Sequence, residues 1–254
     1  MTALLIARNT FREASRDRLL IGALGAGALL LLATQLLAPL ALGEGIRLTV
    51  DTGLSGISII GLLLVLLVGT SLVSKEIDRR TIYNLLSRPL ARGSYLVGKW
   101  AGLTLTLWVV AASIGAALSV LLAVRGHAEF VPGIAEATFM ASLELAVVTA
   151  CAVLFSAIST PVLSALYTIG VYLVGQWSYD LRAFSSRFPE PLSSVCQLAA
   201  NVVPNLPMFN IRTLAANAHT ASPAQLGIAA LYALVYCSCA LCLATAAFES
   251  RDFK

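Results

Sequence analysis

The sequence predicts an all-α integral membrane protein: six transmembrane helices, an N-terminal interfacial helix and a cytoplasmic helix between spans two and three. Three observations predict it. Of 254 residues, 58% are hydrophobic and only 12% are charged, about half the charge with which a soluble domain wets its surface. The apolar residues fall into six runs long enough, or nearly so, to cross a bilayer. The 17 lysines and arginines are concentrated in the segments on one side of those runs. A cytosolic enzyme, a disordered chain and a nucleic-acid binder are excluded by this composition. Residues 1–254 read as a single transmembrane domain.

The stretch 1–18 comes first. Leu4, Ala7, Phe11 and Ala14 share one helical face, and Arg8, Arg12 and Arg16 another, with Glu13 and Asp17 alongside. That is the pattern of a helix lying in the membrane interface; a basic flank that merely fixes topology is the alternative. It does not read as a cleaved signal peptide, because the apolar run behind it is too long for an h-region. The spans follow at 20–42, 54–73, 100–124, 137–158, 162–177 and 226–247. At 1.5 Å per residue the first covers about 35 Å, enough for a hydrocarbon core of about 30 Å. Gly22 with Ala26, and Ala23 with Gly27, are small residues four apart that let helices approach. Trp177 and Tyr179 are placed as interface anchors at the outer end of the fifth span. The two halves show no convincing repeat.

Charge sets the orientation. Arg8, Arg12, Arg16 and Arg18 precede the first span. Lys75, Arg79, Arg80, Arg88, Arg92 and Lys99 lie between spans two and three, and Arg251 and Lys254 close the chain. The opposite side has Arg47, Arg125, Arg182, Arg187 and Arg212. Twelve against five puts both termini in the cytoplasm of a multi-pass protein of the cell inner membrane.

The cytoplasmic loop 74–99 has structure of its own. Thr81 caps a short helix whose apolar side is Ile82, Leu85 and Leu86. Pro89 ends it, Gly93 permits a turn, and Ser94 caps the helix entering span three. Glu76, Asp78, Arg79 and Arg80 stand beside it. An apolar knob ringed by charge is a docking element for another protein, or else a loop resting on lipid.

The run Lys75-Glu76-Ile77-Asp78-Arg79-Arg80-Thr81-Ile82-Tyr83-Asn84-Leu85-Leu86-Ser87-Arg88-Pro89, then Arg92, Tyr95 and Gly98-Lys99, resembles the first cytoplasmic loop of type-2 ABC exporter permeases. Ala7-Arg8-Asn9-Thr10-Phe11-Arg12-Glu13 resembles the start of those proteins, particularly the branch associated with multicopper-enzyme maturation. Pro204-Asn205-Leu206 with Phe209-Asn210 resembles that branch's last outer loop, and residues 248–253 its tail. The resemblance implies a membrane subunit that pairs with a second copy of itself and docks on separate cytosolic ABC ATPase subunits. ATP and magnesium would sit on those partners, leaving this chain without a cofactor, a metal or a catalytic residue. ATP hydrolysis there would drive export, or force transmission to a periplasmic or outer partner.

By the same resemblance Thr81, Ile82, Leu85 and Leu86 form the coupling helix that enters the ATPase, with Glu76 and Arg80 as polar contacts. The 1–18 helix, through Arg8, Phe11 and Arg12, is the connecting helix beside it, and Ser159-Thr160-Pro161 a second contact. Arg80 stands where many relatives have glycine. Gly93 to Lys99 fits the spacing G-x-x-x-x-G-K, but Trp100 replaces the Ser or Thr that would hold magnesium and no strand precedes the run.

Glu144 is the one acidic residue well inside a predicted span, about 10 Å from residue 137. Intramembrane carboxylates line pathways or pair with a cation. It is therefore a polar contact on a translocation route, a proton site, or a carboxylate reaching headgroups or a loop arginine such as Arg125. As a proton site it defines the alternative function, a proton-coupled secondary carrier. Cys237, Cys239 and Cys242 in the last span suit copper(I) by softness, yet 237 points away from 239 and cysteine is an ordinary small residue in packed helices. In the outer loop 178–225, prolines bracket a stretch whose Leu192, Val195, Ala199 and Val202 share a face, predicting an amphipathic helix at the outer interface. No H-E-x-x-H occurs, and His127 and His219 lie in outer loops, which argues against an intramembrane enzyme.

Overall fold

Five helices of the computed structural model are long and apolar enough to cross a membrane, and a sixth apolar helix is shorter. The structure describes residues 2–15, 17–41, 43–71, 92–185 and 201–249, with isolated positions 189, 193, 194 and 197. The coupling-loop residues Glu76, Arg80, Thr81, Ile82, Leu85 and Leu86 lie outside the described residues, as does most of the 192–202 stretch. All regular elements among the described residues are helical.

Helix α1 is Thr2–Ser15. Asp17 then adopts an extended backbone and its carboxylate accepts from the Leu19 N–H at 3.1 Å, capping α2, Arg18–Leu37. A 3-10 turn at Ala38–Leu40 and Gly43 at φ +98 reverse the chain into α3, Gly45–Leu67. Helix α4 is Arg92–Val124 and α5 Val131–Ile158. Pro161 opens α6, Pro161–Gln176, which α7, Ser178–Ser185, follows. A 3-10 turn at Leu206–Phe209 and the short α8, Arg212–Ala216, lead to α9, Pro223–Glu249.

Several boundaries move from their expected places. Helix α3 starts nine residues before the apolar run at 54 because Arg47 and Asp51 occupy its exposed side; they interrupt the apolar run but not the helix. Helix α4 starts at Arg92, so Gly93 and Ser94 lie inside it rather than forming a turn and a cap. Gly93 instead lets Thr245 of α9 come close. Helix α5 starts at Val131, its proline tolerated in the first turn where no backbone donor is needed. That places Glu144 about 20 Å along a 28-residue helix, near mid-membrane rather than near the outer edge.

Helix α5 is the axis of the bundle. Every residue from 141 to 153 is buried, and α3, α4, α6, α8 and α9 all pack on it. Its alanines at 141, 146, 150 and 152 keep it thin enough to be surrounded. Helix α2 sits at the periphery and buries only Ala23, Gly27, Leu31 and Thr34. Of the two small pairs predicted to pack, Ala23 with Gly27 does so, Gly27 lying against Ile114 of α4. Gly22 and Ala26 face outward, with nothing near Gly22.

Candidate functional site

Two regions hold the sequence-predicted functional residues. The first is a polar cluster around Glu144, which is 3% exposed. Gln176, at the last turn of α6, donates to its Oε1 at 2.6 Å, and Ser58 of α3 donates to Oε2 at 3.3 Å. Arg212, opening α8, donates through Nη1 to Ser55 at 2.9 Å and through Nη2 to Ser58 at 2.9 Å. The Ser58 hydroxyl thus accepts from the cation and donates to the anion, and Arg212 also attracts Glu144 electrostatically. A carboxylate at this depth is tolerated only when partnered in this way. Arg125, the cation suggested by sequence, lies exposed in the α4–α5 turn, and Arg212 takes its place.

Arg212 reaches that depth because the last outer loop descends into the bundle. Leu206, Phe209 and Ala215 are buried against α5, α6 and α3. Three further polar contacts hold the segment in place. Ser178 donates to Asn205 Oδ1 at 3.0 Å, while the Asn205 N–H donates to the Tyr232 hydroxyl of α9 at 2.9 Å. On the return, the Ala221 N–H donates to Glu136 of α5 at 2.7 Å. Asn205, Leu206 and Phe209, singled out by resemblance, are therefore structural anchors of an inserted loop. Trp177 and Tyr179 are exposed where α6 gives way to α7, as interface anchors require.

The second region is at the opposite end, where α1 lies on the first turns of α4. Gly98 and Gly102 form the seat. A Cβ at Gly98 would stand 2.8 Å from the Ala3 carbonyl oxygen, and one at Gly102 2.6 Å from that of Ala7. The buried side of α1 follows as Ala3, Ile6, Ala7, Thr10, Phe11 and Ala14. This corrects the predicted apolar face in one member: Leu4 is 76% exposed and Ile6 takes its place. Arg8 and Arg12 point outward, leaving their guanidinium groups accessible, while Phe11 is half-buried. The sequence Gly93 to Lys99 lies wholly within α4, and Lys99 is buried with its Nζ 5.9 Å from the Tyr95 ring centre.

In the last span, Cys237 is buried toward α5 while Cys239 and Cys242 are exposed. Among the described residues no group of three or more His, Cys, Asp or Glu side chains converges on a common point.

Sequence reasoning found Glu144 but missed Arg212, Ser55, Ser58 and Gln176. The signals were present. Arg212 is the one basic residue within the apolar stretch 206–216, and Ser55 and Ser58 are three apart on one face of a span.

An all-helical bundle with a mid-membrane ion cluster and an outer loop folded back into it is the architecture of a multi-pass transport protein. Residues 4–253 match the model of the family described as ABC-2 family transporter protein, and the chain belongs to that family. It is a membrane permease of the ABC transporter class, not a catalytic domain. No curated protein matches the chain closely.

Proposed function

We propose that the chain is the membrane-spanning permease subunit of an ATP-driven exporter, working as two copies with two separate ABC ATPase chains. The observation that carries this reading is the seating of α1 on Gly98 and Gly102 of α4. It fixes an amphipathic helix, with Arg8 and Arg12 outward, beside the helix that emerges from the 74–99 loop. A push on that loop by an ATPase would reach α1 and α4 as one body, and α4 would hand it to the central α5. Thr81, Ile82, Leu85 and Leu86 are the proposed apolar contact with the ATPase, with Glu76 and Arg80 flanking it. The excess of Lys and Arg beside both termini places them in the cytoplasm of the inner membrane. The substrate path lies between the two copies.

Glu144 is on this reading a structural ion-cluster member. Its partners Gln176, Ser58 and Arg212 favour that role over a free proton site, and the family favours ATP over a proton gradient.

Native mass spectrometry of the tagged protein, gently extracted from its own membrane, tests the proposal. Two copies with two ATPase chains are expected, and Leu85→Asp should lose the ATPase chains while keeping the pair. An intact pair without ATPase in either sample would overturn the reading.

A further inference from the structure

Between α4 and α9 the bundle is open on one side. The two helices meet near the terminal end, where the Tyr95 and Phe248 rings stack with centroids 6.4 Å apart. Beyond that contact a groove of about 630 Å³ lies between them, with Leu143 and Ala146 of α5 as its floor. Trp100 and Trp108 form one wall, and Ser238 and Cys242 stand on the other. Trp108 on one wall and Leu234 on the other are both exposed at its mouth.

The lining offers a ligand almost nothing polar. The Trp100 indole donates to the Ala146 carbonyl at 3.1 Å, and the Trp108 indole to that of Ser142 at 2.8 Å. The Ser238 and Thr245 hydroxyls each donate to a carbonyl of their own helix at 2.7 Å. The indoles are thereby locked in orientation as rigid walls. A slot of this size at hydrocarbon depth neither stays empty, which would forfeit dispersion contacts, nor holds water, which would lack polar partners. Its length fits one class of occupant. From Val97 to Trp108 it runs about 16 Å along α4, and from Ala230 to Thr245 about 22 Å along α9, at 1.5 Å per residue. One leaflet is about 15 Å deep, half of a core of about 30 Å.

We infer that this groove is a binding site for a single acyl chain of a bilayer lipid, laid lengthwise between α4 and α9 toward the terminal side of the membrane. The walls that hold it belong to α4, on which α1 rests, so the bound chain acts as a spacer between the terminal ledge and α9. The inference rests on insertion in a membrane and not on coupling to ATP.

The test uses the full chain in detergent, without ATPase or nucleotide. Of its three tryptophans, Trp177 lies away from the groove, and Trp177→Phe leaves Trp100 and Trp108 as reporters. Phosphatidylcholine with dibrominated acyl chains is titrated in, and tryptophan fluorescence is read. Saturable quenching at one lipid per chain is expected. Ser238→Phe and Cys242→Phe fill the groove from exposed positions, so either serves if the other fails to fold. Each should weaken the half-saturation by about tenfold, the scale on which overpacking an apolar slot acts. Quenching that rises in proportion to lipid without saturating, and equally in both variants, would overturn the inference in favour of ordinary annular contact. So would tryptophans that the brominated chains never reach, which would mean that protein covers the groove.

Discussion

At the terminal end of the bundle, α1 is fastened to α4 by apposed backbones, with Gly98 and Gly102 under the Ala3 and Ala7 carbonyls. At the other end, the loop carrying Arg212 is held by a buried polar cluster on α3, α5 and α6. The two fastenings differ in kind. Close glycine packing removes no charge from water, is stiff, and fails only when volume is added. A buried ion cluster has a desolvation cost, is directional, and is lost when one partner moves or loses its charge. A stiff ledge suits the end proposed to receive force from an ATPase. A clasp of hydrogen bonds suits an outer segment that must part from the bundle while a substrate leaves.

The sharpest way to break this comparison is at Glu144. Glu144→Ala leaves Arg212 without its counter-charge and should cost about 3 kcal/mol in denaturation from micelles. Combining it with Arg212→Met should restore part of that loss, since the pair is coupled. Additive losses would show that the cluster is not one unit. Gly102→Val comes next, at about 2 kcal/mol, because the new atoms must displace the Ala7 carbonyl and Thr10. It should also expose α1 to protease, while Gly22→Val, with nothing near it, should stay within about 0.5 kcal/mol of the parent. The smallest effect belongs to Glu136→Gln, which keeps a carbonyl acceptor for the Ala221 N–H but removes its charge. About 1 kcal/mol is expected, with faster hydrogen exchange at Ala221 as the local sign.

The sequence announced the spans where apolar runs were unbroken and misplaced their ends where they were not. Arg47 and Asp51 ended the second run in sequence, yet lie on the exposed side of a helix that continues through them. Gly93 and Ser94 carried turn and cap signals that the surrounding helix overrode, since Gly93 serves to admit Thr245. Glu144 was legible as a costly buried charge. Its cation was not, because Arg125 and Arg212 are both outer-loop arginines and only the fold lowers one of them into the bundle. The glycine seat under α1 was hidden inside a motif that suggested a phosphate loop.

What the sequence alone determined is the medium and the chain's topology in it. Transfer of apolar residues from water into lipid is so large a term, and so nearly additive along the chain, that counting residues suffices. The positions of the arginines on a helix of 14 residues were legible for the same reason, since helical periodicity is local. Which helix became the axis, which arginine met Glu144, and where α4 and α9 left a groove were decided by the tertiary structure alone. These depend on the fit of small surfaces between distant segments, and inside a membrane that fit, rather than exclusion from water, is what selects one arrangement of helices over another.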